Sequence, residues 1–400
     1  MTHPSRSAVS GVPFWGFAAL IFALVIFVPA WTGTGRLPQV SAQSASVLAS
    51  TADAMAPDSW AVLNTNGVGC NTLLECAEPG NADNITSDAT RGCWDPVLQQ
   101  FHFTGQDHTN AAPPPRHVVY DAGTNTWSQR ALPPFGSGRV NHGWNYQACD
   151  WKGRAMYRSF FASLQVWKYD FDAQTWTNIG TPPSSVASYA DGFNGYGFNP
   201  MLGTKGWLVV TGDESDVNGV LYRYDPAGGG FARITPNLMP GYPGGAYAWV
   251  EYSDVHKMMV FGGGSNTFRR LSQNLTIDNA ATAPGCTIGN NRTGILHNEP
   301  STGNFVLLCG PSSASWHIYN PVTDSWTTKA TPSSITNHIL NFPTGGPNWP
   351  TWGLIGAPIW DHGVTMYVKC NQSSCGVRLY KGGPIAAGVA PAAPTGVVAK

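Results

Sequence analysis

The stretch HVVYDAGTNTW, residues 117–127, decides the fold of this 400-residue chain. An extended run of β-branched and aromatic residues ends at Tyr120, turn-forming residues follow, and Trp127 comes seven positions after the tyrosine. Val and Tyr favour strands, whereas Asp, Gly and Asn favour tight turns, so this pattern predicts a β-hairpin. The same pattern returns at three further places in the chain: residues 166–176, 221–231 and 317–326.

A second element precedes the hairpins, with a small residue, a short strand, a polar turn and an apolar strand that ends near glycine. It recurs at intervals of roughly fifty residues, a period typical of propeller repeats. Its six copies begin at Gly92, His142, Gly197, Ala246, Gly294 and Gly356. Two hairpins per period give a four-stranded antiparallel sheet, whose two apolar faces must be covered by neighbours. The sequence therefore predicts an all-β fold, a six-bladed β-propeller. A β-sandwich is the alternative, and six copies in register disfavour it.

The two ends of the repeat region predict how the ring closes. The last copy reaches Tyr380 and then lacks the strand that carries the tryptophan. Residues 58–60, Asp-Ser-Trp, match residues 324–326 of a complete copy. We therefore expect the strand around Trp60 to complete the last blade, which removes a free sheet edge.

The tyrosine-to-tryptophan spacing and the strand-ending glycines Gly212 and Gly262 resemble the kelch family over residues 57–383. The double glycine of kelch repeats is kept only at Gly262 and Gly263. The resemblance implies the propeller fold. It does not fix a function, because kelch propellers include galactose oxidase-like copper enzymes, lectin-like binders and scaffolds. We find no set of residues that matches the copper site of those oxidases, so no cofactor and no metal are predicted.

Segments on both sides of the repeats have other compositions. An apolar run from Phe14 to Trp31, followed by small residues at 40–42, predicts a signal peptide over residues 1–42. An uncleaved membrane anchor is the alternative, and either interpretation places the protein outside the cytoplasm. Residues 43–56 are predicted to be a linker. Residues 384–400 form a Pro/Ala-rich linker whose end resembles the start of a fibronectin type III domain.

Eight cysteines in an exported chain predict disulfides. The close spacings favour two local pairs, and four cysteines remain for pairing across longer distances. The predicted local pairs are Cys70 with Cys76 and Cys370 with Cys375, and the longer pairs are Cys93 with Cys149 and Cys286 with Cys309. Metal binding is the alternative, but no CxxC motif with suitably spaced histidines occurs.

Candidate ligand-binding residues fall in the loops that join successive blades and at the strands that follow these loops. Arg91, Arg139 and Arg292 each precede a first strand, so the repeat predicts that all three point toward the axis. Arginine suits carboxylates, although each guanidinium could instead bond loop carbonyls. His142 and His297 lie in first strands and could act as acid–base groups or as structural residues.

Aromatic loop residues suit the apolar faces of sugar rings. The candidates are Tyr242, Trp349 and Trp352, and the alternative is that they only fill the loops. Charged residues are 11% of the chain and the net charge is -1, which excludes a basic nucleic-acid-binding face. We expect a monomer that touches a membrane only if its anchor is retained.

Three functions fit these residues. The first is a secreted or cell-surface module that binds an extracellular glycan or protein through the loop face. The second is a lyase or hydrolase acting on acidic polysaccharide through Arg139, His142 and Arg292. The third is a structural surface protein whose propeller spaces other domains.

Overall fold

The protein is an all-β propeller of six four-stranded antiparallel blades, as the repeats predict. The computed structural model describes residues 45–67, 90–105, 116–131, 134, 146–160, 163–182, 195–215, 218–234, 239–240, 249–262, 268–284, 294–309, 315–332, 354–370 and 375–383. No helix within these ranges is long and apolar enough to cross a membrane.

Each blade follows chain order from its innermost strand outward. Helix α1 (Val47–Ala54) and strand β1 (Ser59–Leu63) precede the first blade. Blade 1 contains β2 (Cys93–Asp95), β3 (Gln100–Gly105), β4 (Arg116–Asp121) and β5 (Thr126–Gln129). Blade 2 contains β6 (Gln147–Asp150), β7 (Ala155–Phe160), β8 (Ser163–Asp170) and β9 (Thr175–Gly180). Blade 3 contains β10 (Gly195–Asn199), β11 (Trp207–Ser215), β12 (Asn218–Asp225) and β13 (Gly230–Arg233), with β14 (Met239–Pro240) added beside β12.

The second half of the ring repeats this order. Blade 4 contains β15 (Trp249–Ser253), β16 (Met258–Gly262), β17 (Phe268–Leu271) and β18 (Ile277–Ala280). Blade 5 contains β19 (Gly294–Asn298), β20 (Phe305–Cys309), β21 (Ser315–Asn320) and β22 (Ser325–Ala330). Blade 6 contains β23 (Leu354–Ile359), β24 (Val364–Cys370) and β25 (Cys375–Lys381), and β1 is its outermost strand. The six innermost strands contact one another in sequence and close a ring around the axis.

Strand β1 completes the last blade, which confirms the predicted closure. It pairs with β25 in antiparallel register, and Trp60 lies opposite Tyr380. Buried residues of blades 6 and 1, among them Leu63, Val377 and Phe103, belong to one hydrophobic cluster. Closure between distant parts of the chain therefore buries apolar surface as well as pairing a sheet edge.

The recurrent tyrosine and tryptophan are cross-strand neighbours in the outer hairpins of four blades, with ring centroids 4.8–5.2 Å apart. These pairs are Tyr120–Trp127, Tyr169–Trp176, Tyr319–Trp326 and Tyr380–Trp60. Aromatic pairs of this kind add about 0.5–1.5 kcal/mol beyond the area that they bury. The seven-residue spacing is thus the separation that places the tyrosine and the tryptophan directly opposite each other on the two strands of the hairpin.

Two blades vary this pair without losing the register. Phe231 takes the tryptophan position opposite Tyr224 in blade 3, with the rings 5.0 Å apart. In blade 4, whose hairpin sequence lacks both aromatics, Leu271 lies opposite Ile277. The position therefore requires a large apolar side chain, and the tryptophan is one way to supply it.

The segment predicted to be a linker, residues 43–56, contains helix α1. The Ser46 side chain caps the helix by accepting a hydrogen bond from the Ala49 amide at 3.1 Å. Leu48, Ala52 and Met55 are buried against blades 1 and 6. Their i, i+4, i+7 spacing is the pattern of an amphipathic helix, which the expectation of a linker overlooked.

A disulfide joins Cys93 of β2 to Cys149 of β6, which confirms one predicted pair and ties the innermost strands of blades 1 and 2. Cys309 and Cys375 are also disulfide-bonded. No cysteine in the described part of the chain is free. The predicted partners Cys70, Cys76 and Cys286 lie outside the described residues, as does the side chain of Cys370.

Candidate functional site

The guanidinium of Arg91 lies at the centre of the ring, and the residue is only 6% exposed. It donates hydrogen bonds to the carbonyls of Gln147 in blade 2, at 3.5 Å, and Tyr196 in blade 3, at 2.6 Å. In blade 4 it donates to the Val250 carbonyl and forms an ion pair with the Glu251 carboxylate. One side chain from the start of blade 1 therefore binds three other blades.

The neighbours of Arg91 reach the remaining two blades. The Thr90 carbonyl accepts from His297 Nε2 of blade 5 at 3.1 Å, and from the Gly356 amide of blade 6 at 3.1 Å. The Gly92 amide donates to the Gly356 carbonyl at 2.9 Å. Residues 90–92 thus form an axial hub that hydrogen-bonds to every other blade. Inner-strand carbonyls would otherwise lack partners at the axis, and buried carbonyls require them.

Burial dominates the electrostatics of this hub. It raises the pKa of Glu251, which the Arg91 charge opposes, and it lowers the pKa of Arg91, which the Glu251 charge opposes. Burial, together with the Arg91 charge, lowers the pKa of His297 well below its usual value, so this imidazole is neutral at pH 7. Because a carbonyl only accepts, the Nε2 of His297 must carry the proton that bonds Thr90.

The turn end of the propeller, formed by the turns between the first and second strands of the blades, is closed by contacts across the axis. Trp151 of blade 2 stacks on Trp360 of blade 6, with ring centroids 4.1 Å apart. The Lys152 ammonium bonds the Asp254 carboxylate of blade 4 at 3.0 Å. Neither pair joins adjacent blades, so both bridge the channel itself.

Little space remains between the hub and this aromatic stack. The cavity is lined by inner strands of all six blades and by the Trp151 and Trp360 rings. The volume of this cavity is about 30 Å³, enough for one or two waters. The described channel is therefore a packed core, and a larger ligand would have to meet the protein elsewhere.

We expect Gly356→Ala to destabilise the protein by about 1–3 kcal/mol, because an added Cβ overpacks the hub. That Cβ would lie 2.5 Å from two ring atoms of His297, whose position is fixed by its bond to Thr90. Chemical denaturation measures the loss.

The control for this substitution is Gly123→Ala, at an exposed turn where the nearest atom would be 3.3 Å away. It should change stability by less than about 0.5 kcal/mol. A Gly356→Ala protein as stable as this control would show that the His297 ring yields without cost.

The structure brings together two of the predicted ligand-binding residues, Arg91 and His297, at the axis. The hydrogen bonds of the Arg91 guanidinium and of His297 Nε2 described above go to protein groups. Their part in ligand binding remains a prediction. The other candidates lie outside the described residues: Arg139, His142, Arg292, Tyr242, Trp349 and Trp352. Within the described ranges, no three His, Cys, Asp or Glu side chains cluster closely enough to hold a metal ion.

Sequence reasoning missed the partners of these residues. Glu251 carries a signal, because it is the single acid within the buried strand β15, Trp249–Ser253. An acid at such a position usually has a charged partner. The cross-axis partners Trp151 and Trp360 also lie in equivalent turns of their repeats. Which turns meet across the axis depends on the closed ring, so the pairing was not readable from either turn alone.

Comparisons with known proteins assign no family to the chain. No protein family and no curated protein matches the chain. A streptogramin B lyase structure matches at 11% identity and TM-score 0.46, over 76% of this chain and 96% of that one. A nidogen/laminin complex matches at 11% identity and TM-score 0.42, over 60% and 80% of the two chains.

A protein of unknown function from Bacteroides thetaiotaomicron matches at 11% identity and TM-score 0.46, over 80% of this chain and 75% of that one. Similarities this weak carry no argument, so we argue function from the residues. None of the three structures is described as a kelch propeller, and the kelch resemblance stays a prediction.

Proposed function

We propose that this protein is an exported, kelch-like binding module that recognises an extracellular glycan or protein through its loop end, the face opposite the turn end. The observation that carries the proposal is the closed axis. The Trp151–Trp360 stack and the Arg91–Glu251 pair leave about 30 Å³ of space. A ligand larger than water would therefore bind outside this axial cavity, and the propeller loops offer a surface for it.

The predicted loop residues have the chemistry for such a ligand. Arg139 and Arg292 would pair with carboxylates, and Tyr242, Trp349 and Trp352 would stack on sugar rings or fill apolar pockets of a protein partner. A catalytic site at the axis would need free polar groups in a deep pocket. The Arg91 guanidinium donates to inner-strand carbonyls and pairs with Glu251, and His297 donates to Thr90, which supports binding over the lyase or hydrolase alternative.

Export is supported by the oxidised cysteines. Cys93, Cys149, Cys309 and Cys375 are all disulfide-bonded, and disulfides persist in oxidising compartments. Together with the apolar run of the leader, this state favours a secreted or cell-surface location.

We expect the protein to bind selected acidic glycans on a glycan array, and the Arg139→Ala/Arg292→Ala variant to lose that binding by tenfold or more, since each charge-assisted bond adds about 1.5–3 kcal/mol. The matched control is Lys152→Ala/Lys205→Ala, which removes two positive charges from the turn end, since Lys205 lies in the turn between β10 and β11. Binding lost equally in both variants, or kept in both, would contradict a loop-end site. Binding of a protein partner would be tested with the same two variants.

A further inference from the structure

A groove opens on the outer rim of the propeller, between blades 5 and 6. Its volume is about 360 Å³, within the range of ligand sites. Trp60 and Trp316 form an aromatic wall, Pro332 adds apolar surface, and Asp58 and Lys329 stand at the rim. The inference below does not rest on the function proposed above.

The equivalent position between blades 4 and 5 shows what such a groove accepts. There, Ala281 follows the outer strand β18 and passes beside the outer hairpin of blade 5. Its amide donates to Asp324 Oδ1 at 2.7 Å, and its carbonyl accepts from the Trp326 indole Nε1 at 2.9 Å. The acid and the tryptophan of the repeat therefore bind the backbone of one extended, small residue.

The position between blades 6 and 1 is filled in the same manner. The Trp127 indole donates to the Thr65 hydroxyl at 2.9 Å. The Asn125 side-chain amide donates to the Asn64 carbonyl at 3.0 Å. Again, the residue two before the tryptophan and the indole itself hold an extended segment of the chain.

Between blades 5 and 6 the same two groups are present, but no segment in the described part of the chain binds both. The Trp60 indole Nε1 is buried without a hydrogen-bond partner. Thr331, which follows β22 as Ala281 follows β18, likewise has a buried hydroxyl without a partner. The Asp58 carboxylate bonds Lys329 at 2.5 Å and the Tyr380 hydroxyl at 3.0 Å. Asp58 and Trp60 are therefore the equivalents of the two residues that bind backbone at the neighbouring position, but the Trp60 indole N–H has no acceptor here.

We propose that this groove binds an extended peptide of small residues, and that residues 384–400 of the same chain supply it. The peptide carbonyl would accept from Trp60 Nε1, and the next available amide would donate to the Asp58 carboxylate, as Ala281 does at the neighbouring position. Alanine fits the space that Ala281 fills, and Pro-rich segments dock on aromatic-lined grooves in an extended form whose backbone groups are free.

Proximity favours this segment over other occupants. Residues 384–400 are PIAAGVAPAAPTGVVAK, with a single charged side chain, at Lys400. They follow Gly383, where an added Cβ would lie 3.2 Å from the Cβ of Asp58. The segment therefore starts at the rim of the groove. A tether this short gives an effective concentration in the millimolar range, so weak contacts suffice.

Hydrogen exchange on the full-length chain tests the proposal. We expect amides within residues 384–400 to exchange slowly in the wild type. Trp60→Phe should speed their exchange by about threefold to tenfold, which corresponds to one lost hydrogen bond. Phenylalanine already occupies the equivalent position at Phe231, so the ring packing tolerates the change. Asp58→Gly should act similarly, because Asp58 has φ 57°, which glycine adopts readily.

Trp326→Phe is the matched control, since it makes the same change where Ala281 already fills the groove. It should leave exchange in residues 384–400 unchanged. Fast exchange in the wild type, or slow exchange that persists in Trp60→Phe, would overturn the proposal. So would equal acceleration by Trp326→Phe. Protection that rises with protein concentration would assign the groove to a second copy and would also overturn it.

Discussion

Replacing Arg91 by methionine is expected to lower the free energy of unfolding by roughly 3–5 kcal/mol, because it leaves a buried carboxylate without its partner. Glu251 would lose its ion pair, and the carbonyls of Tyr196 and Val250 would lose a donor at the axis. Methionine fills a similar volume, so the loss reports the polar contacts more than a cavity. Denaturant titration at constant m value measures it.

A double-mutant cycle separates the ion pair from the hub as a whole. Arg91→Met/Glu251→Met removes both charges, so it should cost less than the sum of the two single changes. Arg223→Met is the matched control. That arginine lies over Trp207 at 4.1 Å and pairs with Asp225 at 3.4 Å on the outside of blade 3. The control should cost about 1 kcal/mol or less. Additive losses, or an Arg91→Met cost equal to the control, would remove Arg91 from its role as hub.

The fold was predictable because one local sequence pattern shows how the two strands of each outer hairpin pair. A tyrosine and a tryptophan seven residues apart fix the length of the outer hairpin, and the ring pair reports which residues face each other. The closing strand was predictable for the same reason, since Trp60 carries the tryptophan half of the pattern and Tyr380 the tyrosine half. Helix α1 was missed because its eight residues were assigned by composition and not by periodicity.

The candidate site was predictable only in part. The repeat placed Arg91 and His297 near the axis, because each occupies a defined position relative to an inner strand. It could not show that Arg91 would meet Glu251, which belongs to a blade on the far side of the ring. Trp151 and Trp360 meet for the same reason, through closure of six blades. Contacts across a ring depend on the number and tilt of its blades, which a single repeat does not record.

Acid is expected to destabilise the protein steeply through a buried histidine pair between blades 1 and 2. His102 Nδ1 lies 3.0 Å from His117 Nε2, and both side chains are almost fully buried. Burial and the Arg130 charge together lower the pKa of His117 to about 3. Burial, with the charges of His117 and Arg130, lowers the pKa of His102 well below its usual value. The Tyr169 and Phe171 rings pack on the pair.

Acid destabilises the fold because the unfolded chain takes up the protons that the buried pair does not. Unfolded histidines have a pKa near ~6.5, so between that pH and the lower folded pKa the unfolded chain binds more protons than the native one. Stability is therefore complete above about pH 6.5 and falls as the pH drops toward 3. At pH 4.5, each histidine that stays neutral in the fold costs about 2–3 kcal/mol. The pair together should remove about 5 kcal/mol relative to pH 7.5.

His102→Gln/His117→Gln removes the titrating groups, so the difference in unfolding free energy between wild type and variant should shrink as the pH falls from 7.5 to 4.5. Phe171→Leu is the control, because its ring lies 4.5 Å from that of His102 and its loss weakens packing equally at every pH. Denaturant titrations at a series of pH values give both differences. A glutamine variant that keeps the wild-type pH dependence would mean that the pair is protonated in the native fold. The acid sensitivity would then have to arise from other groups.

Raised pKa values, such as that of Asp150 at about 7, work in the opposite direction, since they favour the folded state as the pH drops from 7 toward 4. The histidine pair is therefore the group whose removal should flatten the acid limb most.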